Sequence, residues 1–373
     1  MTDEIKKFNR GDVAEGILGA ALTAKFVNRP KSLKEKNKSI TKKMIDDVLD
    51  KFFKKNQMIA FKAKDIAATK VSGIIDIVNF SISLPEAAAN FLSKKNNRDV
   101  VIDLYNSAIK YVEETWTDDV MKFALNGQMD QITILSDGVG DQKGTKADIK
   151  ITINGIPYEK QISLKVSGGE QFAQVSGDEF EKQQKIWEDI LMLDISNLKQ
   201  KYLKEIKNYD KKEVFSSRDN EKLNSFKDMI KAAASVVYKD AAKQIQQKIN
   251  SKDNKFFNNL AKLVFEGATR GDTSIELVKL EGGKFKRLQF NEDFVKIYSD
   301  QLKKSKLIAK FRESGDPLVQ LYAGTENKQN LILQIRVKVE AASTYSQNIG
   351  KVYRPYMRNY VEAGPLMFGL LNK

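Results

Sequence analysis

Residues 147–166 constrain the fold more than any other stretch of this chain. They read ADIKITI, then NGIPYE, then KQISLKV. In the first and last of these, apolar and polar residues alternate with a period of two. That is the pattern of a strand that buries one face. Ile149, Ile151 and Ile153 lie on one side of the first strand; Ile162, Leu164 and Val166 lie on the same side of the second. Asp148, Lys150 and Thr152 face the other way, with Gln161, Ser163 and Lys165. The register expected from these faces sets Asp148 opposite Lys165, Lys150 opposite Ser163, and Thr152 opposite Gln161. A slip of one residue would put Asp148 against Leu164 and mix the faces. This register needs the longer connection through Pro157 and Tyr158. A tight turn at Asn154-Gly155 would keep the faces but carry Asp148 away from Lys165. Gly168-Gly169 ends the second strand, and residues 170–193 then read as helix.

Composition narrows the chemistry. The chain of 373 residues has no Cys and no His. Disulfides, zinc fingers, thiol nucleophiles, Ser-His triads and imidazole bases are therefore absent. A catalytic metal would have to be held by oxygen ligands, which points to Mg²⁺ or Mn²⁺. Lys and Arg number 63 against 49 Asp and Glu, a formal net charge of +14. That excess favours a polyanionic partner, nucleic acid above all, although a lysine-rich solvated surface gives the same count. No apolar run approaches the roughly 18 residues of a membrane helix, so no membrane partner is expected. The N-terminus lacks the apolar core of a signal peptide, and a reducing cytoplasm is the expected location.

Along the chain, residues 11–27 read as a buried helix that Asp12 could cap. Residues 28–56 are polar and lysine-rich, and 57–125 carry helical periodicity with a break at Leu84-Pro85. A strand is expected from Gln128, followed by a glycine-bearing loop and the two alternating strands. Residues 196–262 form a second lysine-rich helical stretch. Strands return from Thr273, where SIELVKL and KFKRLQF flank Glu281-Gly282-Gly283 as a hairpin. A short helix (292–304) and strands at 305–311, 318–323 and 330–339 follow. Strands on both sides of each helical block favour one α/β domain over 1–373, with helical insertions at 28–127 and 196–262. A basic, aromatic segment closes it at 340–373.

Asp148 and Lys165 have two readings. One is an exposed cross-strand charge pair. The other is a metal site for phosphodiester hydrolysis, with Asp148 and the Leu164 carbonyl as ligands and Lys165 orienting water or stabilising phosphoryl charge. Glu15 bears on this choice. It shares the apolar face of the first helix with Leu18, Gly19, Leu22 and Phe26. A carboxylate there is costly unless paired or metal-bound. Gln171 and Gln174, spaced for neighbouring positions on a helix, suit either backbone contacts to DNA or a plain helix start.

Together these residues resemble the PD-(D/E)xK, or restriction-endonuclease-like, nuclease superfamily. Its pattern is a helix with a glutamate, a strand with an aspartate, a strand ending in (D/E)xK, and a helix with a polar residue. Glu15, Asp148, Ser163-Leu164-Lys165 and Gln171 or Gln174 take those positions. KADIKI, ISLKVSGGEQFAQVSG, RGDVAEGILGAAL and RNYVEAGPL look like segments of phage and prophage nuclease-like proteins. The resemblance implies an α/β fold with a mixed sheet core flanked by helices and large lysine-rich helical insertions. It also implies a Mg²⁺- or Mn²⁺-dependent endodeoxyribonuclease, encoded by a phage or mobile element and acting in the host cytoplasm. Glu15, Asp148, Ser163, Lys165 and Gln171 would be catalytic, with Glu15, Asp148 and the Leu164 carbonyl on the metal. Two departures stand out: Ser163 occupies the position of an acidic ligand, and Glu15 lies far upstream of Asp148.

The C-terminal part interleaves cations and tyrosines: Lys351, Tyr353, Arg354, Tyr356, Arg358 and Tyr360, after Arg336 and Lys338 on a strand. Such a set suits phosphate contacts and stacking on bases or sugars. A terminal helix docked through its tyrosines suits it equally. With Gln174, the residues Arg336, Lys338, Lys351, Arg354, Tyr356 and Arg358 are the expected nucleic-acid contacts. DNA is the expected partner, and a homodimer is compatible with the chain. The alternative function is a non-catalytic DNA-binding or phage structural protein on a nuclease-like scaffold. RNA processing is a third reading.

Overall fold

An 18-residue helix, α1 (Arg10–Val27), organises the first part of the molecule. Its residues Val13 to Phe26 are all buried, because its sequence is apolar or small almost all the way round. Asn9, not Asp12, caps it: the Asn9 carboxamide oxygen accepts the Gly11 N–H at 3.0 Å. The small residues let the helix lie close on a sheet. A Cβ built on Gly16 would sit 2.5 Å from Leu92 Cδ1, and one on Gly19 would sit 2.9 Å from Ile82 Cδ1.

The structure, a computed structural model, describes residues 9–31, 35, 38–54, 58–63, 66–125, 130–136, 147–166, 174–176, 188, 192, 194, 196–197, 200, 204, 221–291, 293–313, 315–325, 328–346 and 350–363. It is a mixed α/β protein. Where one domain was expected, the chain divides into two compact units, Met1–Gly169 with Thr269–Asn291, and Glu170–Ala268 with Glu292–Lys373.

In the first unit, α1 is followed by α2 (Lys42–Phe52) and three strands, β1 (Met58–Ala63), β2 (Ile66–Ile75) and β3 (Val78–Pro85). These strands correct the helical periodicity expected before the break at Leu84-Pro85; helices do follow it. α3 (Glu86–Ser93), the single turn α4 (Lys95–Arg98) and α5 (Ile102–Leu125) then cross over to β4 (Ile132–Ser136), which runs parallel to β3. β5 (Ile149–Ile153), β6 (Ile156–Pro157) and β7 (Gln161–Val166) come next. β9 (Ile275–Glu281) and β10 (Lys284–Gln289) complete the sheet, in the order β1-β2-β3-β4-β5-β7-β9-β10, with β6 beside β5. β7 and β9 are parallel; β9 and β10 form the expected hairpin. α1 and α5 pack together on this sheet, where Phe26 meets Trp116 edge to face at 6.0 Å. Lys25, 1% exposed, is paired with Glu113 at 2.8 Å.

In the second unit, α6 (Glu221–Asn250) and α7 (Asn254–Thr269) answer the expected helical stretch. α8 (Phe294–Lys304) precedes β11 (Leu307–Arg312), β12 (Leu318–Thr325), β13 (Lys328–Ser346) and β14 (Gly350–Ala363). With the short β8 (Gln174–Ser176) these form an antiparallel sheet in the order β11-β12-β13-β14-β8. α6 lies on β11, β12 and β13 and buries Ala234, Tyr238, Ala241 and Ile245 at helical spacing. β8 falls inside 170–193, where a helix was expected. Within 340–373, residues 340–346 close β13 and Gly350–Ala363 form β14, where a terminal helix was the alternative.

Candidate active site

The connection between β5 and β7 sets the geometry. Asn154 and Gly155 have φ of +52° and +79°, so they make the tight hairpin turn that the expected register excluded. Ile153 pairs with Ile156 and Thr152 with Pro157. Tyr158 N–H still reaches the Ile151 carbonyl at 2.8 Å. The chain then bulges at Glu159-Lys160, and the Gln161 side chain fills the gap. Its Oε1 accepts the Ile151 N–H at 2.9 Å and its Nε2 donates to the Ile151 carbonyl at 3.0 Å. Pairing resumes with Ile149 opposite Ile162. The register is thus two residues from the expected one. The faces survive because the offset is even, but Asp148 comes level with Ser163, not Lys165.

Asp148 stands at the entrance to β5. Its N–H donates to the Ile162 carbonyl at 2.7 Å. Its Oδ2 accepts the Leu164 N–H at 2.5 Å and the Ser163 hydroxyl at 3.3 Å. The carboxylate replaces a main-chain acceptor where the β5–β7 ladder stops. In a strand, N–H and C=O of one residue point to the same neighbour, so the Leu164 carbonyl also faces this end of β5. Ser163 is 4% exposed, and Asp148 and Lys165 are half-buried. The ion pairs among the described residues do not join Asp148 to Lys165, which overturns the cross-strand charge pair.

Glu15 is 8% exposed, and Oε1 accepts a hydrogen bond from the fully buried Ser136 hydroxyl. Ser136 ends β4 and pairs with Ile149, which pairs in turn with Ile162. Ser136 therefore shares the Ile149 and Ile162 face, whereas Asp148, one position before Ile149, belongs by alternation to the face of Ser163; Glu15 and Asp148 attach to neighbouring strands one row apart. Among the described residues no group of three or more Asp or Glu side chains is placed to hold a metal. Oxygen donors at this end of β5 are the Asp148 carboxylate, the Leu164 carbonyl and the Ser163 hydroxyl, with Glu15 and Ser136 on the Ile149 face of the sheet; all are hard ligands of the kind Mg²⁺ or Mn²⁺ takes.

Lys165 heads a line of cations. It pairs with Lys279 on β9, and Lys279 pairs with Lys286 on β10. Strand spacing puts these three positions about 5 Å apart on one face. Lys279 is 8% exposed with Glu281 3.3 Å away, whereas Lys286 is exposed.

On the opposite face the sequence hid a second buried carboxylate. Glu276, level with Ile162, accepts hydrogen bonds from Tyr111 at 2.6 Å, Gln289 at 3.1 Å and Arg287 at 3.4 Å. Burial, reinforced by the Glu276 charge, pushes the Tyr111 hydroxyl well above its ordinary pKa. An acidic residue at an inward position of SIELVKL was the available signal.

Gln171 lies outside the described residues. Gln174 lies in β8, level with Glu362 of β14. Arg336 and Lys338 lie in β13, and Lys351, Arg354, Tyr356 and Arg358 in β14. Pairing sets Arg336 against Tyr360, Lys338 against Arg358, Glu340 against Tyr356, and Ala342 against Arg354. These pairs alternate onto one face; Lys351, level with Tyr345, belongs to the other.

Comparison of the chain with protein-family models, curated proteins and solved structures finds no match. No helix among the described residues is long and apolar enough to cross a membrane.

Proposed function

We propose that the chain is a Mg²⁺- or Mn²⁺-dependent deoxyribonuclease that cuts DNA phosphodiester bonds internally, encoded by a phage or mobile element and acting in the host cytoplasm. One observation carries the reading. The Asp148 carboxylate meets Ser163-Leu164 at the end of a strand ladder, next to Lys165, while Glu15 is fixed to the neighbouring strand one row away, from the Ile149 face. The order of helix, paired strands and a further parallel strand supports the restriction-endonuclease-like resemblance.

Glu15, Asp148 and the Leu164 carbonyl would hold the cation, which supplies water activation and charge neutralisation when bound. Ser163 donates to Asp148 and orients its carboxylate, the part an outer-shell partner plays. Lys165 carries the positive charge nearest the ladder's end in sequence and is assigned to the attacked phosphate or the attacking water. Gln171 is assigned to the same water. Lys279 and Lys286 extend positive charge away from Lys165, as a polyanionic substrate requires.

Purified protein incubated with supercoiled, linear and single-stranded DNA in Mg²⁺ or Mn²⁺ is expected to nick or linearise the supercoiled form. Absence of cleavage on every form would overturn the enzymatic reading. Ser163 in place of an acid, and an Asp148 already used by two protein donors, favour the second reading of a non-catalytic DNA-binding or particle protein. Its mark is salt-sensitive DNA binding that Asp148→Asn leaves unchanged, without turnover.

A further inference from the structure

The pairing of β13 with β14 outruns the rest of its sheet. On one side, the ladder with β12 ends at Leu318 opposite Arg336. On the other, the ladder with β8 ends at Tyr360 opposite Ser176. Residues 337–346 and 350–359 pair only with each other in the described ladders. At about 3.3 Å per residue, residues 337–346 make a two-stranded ribbon about 33 Å long. A two-stranded hairpin by itself is only marginally stable in water, so a ribbon of this length gains from a partner along it.

Register fixes what the two faces carry. One face holds Arg336, Lys338, Arg354, Arg358, Tyr356 and Tyr360, with Glu340 as the acidic residue in its interior. The other holds Val337, Val339, Ala341, Pro355 and Met357, with Lys351, Tyr345 and Tyr353 toward the ribbon's tip. Four of the five cations fall on the first face and one, Lys351, on the second, while the tyrosines divide equally between them. The DNA major groove, about 12 Å wide, admits a two-stranded ribbon. The ribbon's length also matches one helical turn of duplex, about 34 Å.

We propose that the β13–β14 ribbon is a duplex-DNA-binding arm that lays its Arg336, Lys338, Arg354, Arg358 face along the groove and the flanking phosphates. The arm acts in sequence-independent affinity, and the proposal stands whether or not the Asp148 site cleaves.

The test uses the full chain in EDTA, so that binding is read without cleavage. Fluorescence anisotropy with a labelled duplex of about one to two helical turns gives affinity across a salt series. Arg336→Gln/Lys338→Gln/Arg354→Gln/Arg358→Gln is expected to weaken binding at least tenfold. It should also lower the slope of log K on log salt by about 0.9 for each lost phosphate contact, about 3 to 4 in all. Lys338→Gln and Arg358→Gln singly should each lower the slope by about 0.9, which guards against misfolding of the fourfold variant. Arg336→Lys/Arg354→Lys/Arg358→Lys should keep the slope. The control removes four exposed lysines of α6 and α7: Lys239→Gln/Lys243→Gln/Lys255→Gln/Lys262→Gln. An equal loss in that control would overturn the proposal by showing diffuse attraction. Tighter binding to single strands than to duplex would overturn it. So would unchanged DNA binding with a changed oligomeric state in the ribbon variants, since the ribbon would then pair copies of the chain.

Discussion

Asp148 holds two jobs that one substitution can separate. Its carboxylate satisfies the Leu164 N–H and the Ser163 hydroxyl, and in the proposed enzyme it also binds the cation. Asp148→Asn retains an acceptor for Leu164 but loses the charge. Cleavage of supercoiled DNA is expected to fall at least about a hundredfold, with the melting temperature within a few degrees of wild type. Asp148→Ala leaves a buried N–H without its acceptor and is expected to cost about 1–3 kcal/mol in denaturant titration as well. Full activity in Asp148→Asn would remove Asp148 from the reaction. The distinction was not legible in the sequence. Alternation gave the faces of β5 and β7, and both faces survived. The register did not follow, because an even offset preserves every face. It depended on the Gln161 side chain standing in for main-chain partners of Ile151, and a pattern of polar and apolar residues does not encode that substitution. Glu15 shows the same division. Its burial followed from the helix face, but its partner Ser136 is 121 residues away.

At the scale of elements, α1 tests how closely the helix must approach the sheet. Gly16→Ala is expected to cost about 1–3 kcal/mol, because the added methyl overlaps Leu92 and presses on Leu84 3.2 Å away. A denaturation midpoint equal to wild type would mean that α1 sits farther from β3. α4 offers a second test. Arg98 is fully buried and donates to the Leu92 carbonyl at 2.7 Å, Asp50 at 2.9 Å and Asp46 at 3.3 Å. Arg98→Met removes the buried cation from Asp46 and Asp50 and the donor from the Leu92 carbonyl, and is expected to cost about 3 kcal/mol by chemical denaturation. A loss below a few tenths would show that Lys42 and Lys95 suffice for Asp46 and Asp50. α1 was readable as a long run of apolar and small residues, α6 and α8 from their helical spacing of apolar residues, and the β9–β10 hairpin from its glycine turn. β1, β2 and β3 were not. β2 buries Ala68, Thr69 and Val71 but exposes Ile66 and Ile74, so its burial does not follow its hydrophobicity and no clean period of two marks it. The ATKVSGII stretch becomes a strand through its neighbours.

For the molecule as a whole, the absence of histidine predicts a simple response to pH. Arg29 holds the Asp76 carboxyl below its usual range. Burial pushes Asp50 up, but hydrogen bonds from Lys95 and Arg98 bring it below its usual range. A depressed carboxylate stabilises the fold above its unfolded value, 3.8, and that contribution is lost as pH falls through the folded value. Burial of Asp12 acts in the opposite sense, raising its carboxyl, and favours the fold below the unfolded value. The melting temperature is expected to decline below about pH 4 and to stay level between about pH 6 and 8. A step in the latter interval, followed by circular dichroism, would contradict this. The division into two units was hidden from sequence because strands resume after the helical stretch in either arrangement. That division sets an order of events on the ribosome. β7 takes β9 as its parallel neighbour, yet residues 170–268 belong to the other unit and leave the exit tunnel in between. While they are made, the β9 side of β7 has no native strand to pair with, and an unpaired strand edge is a template for wrong ones. Native pairing there must wait for residues 275–281, so slow synthesis or a stalled chain leaves the Ser163-Leu164-Lys165 strand as the edge that a chaperone would have to guard.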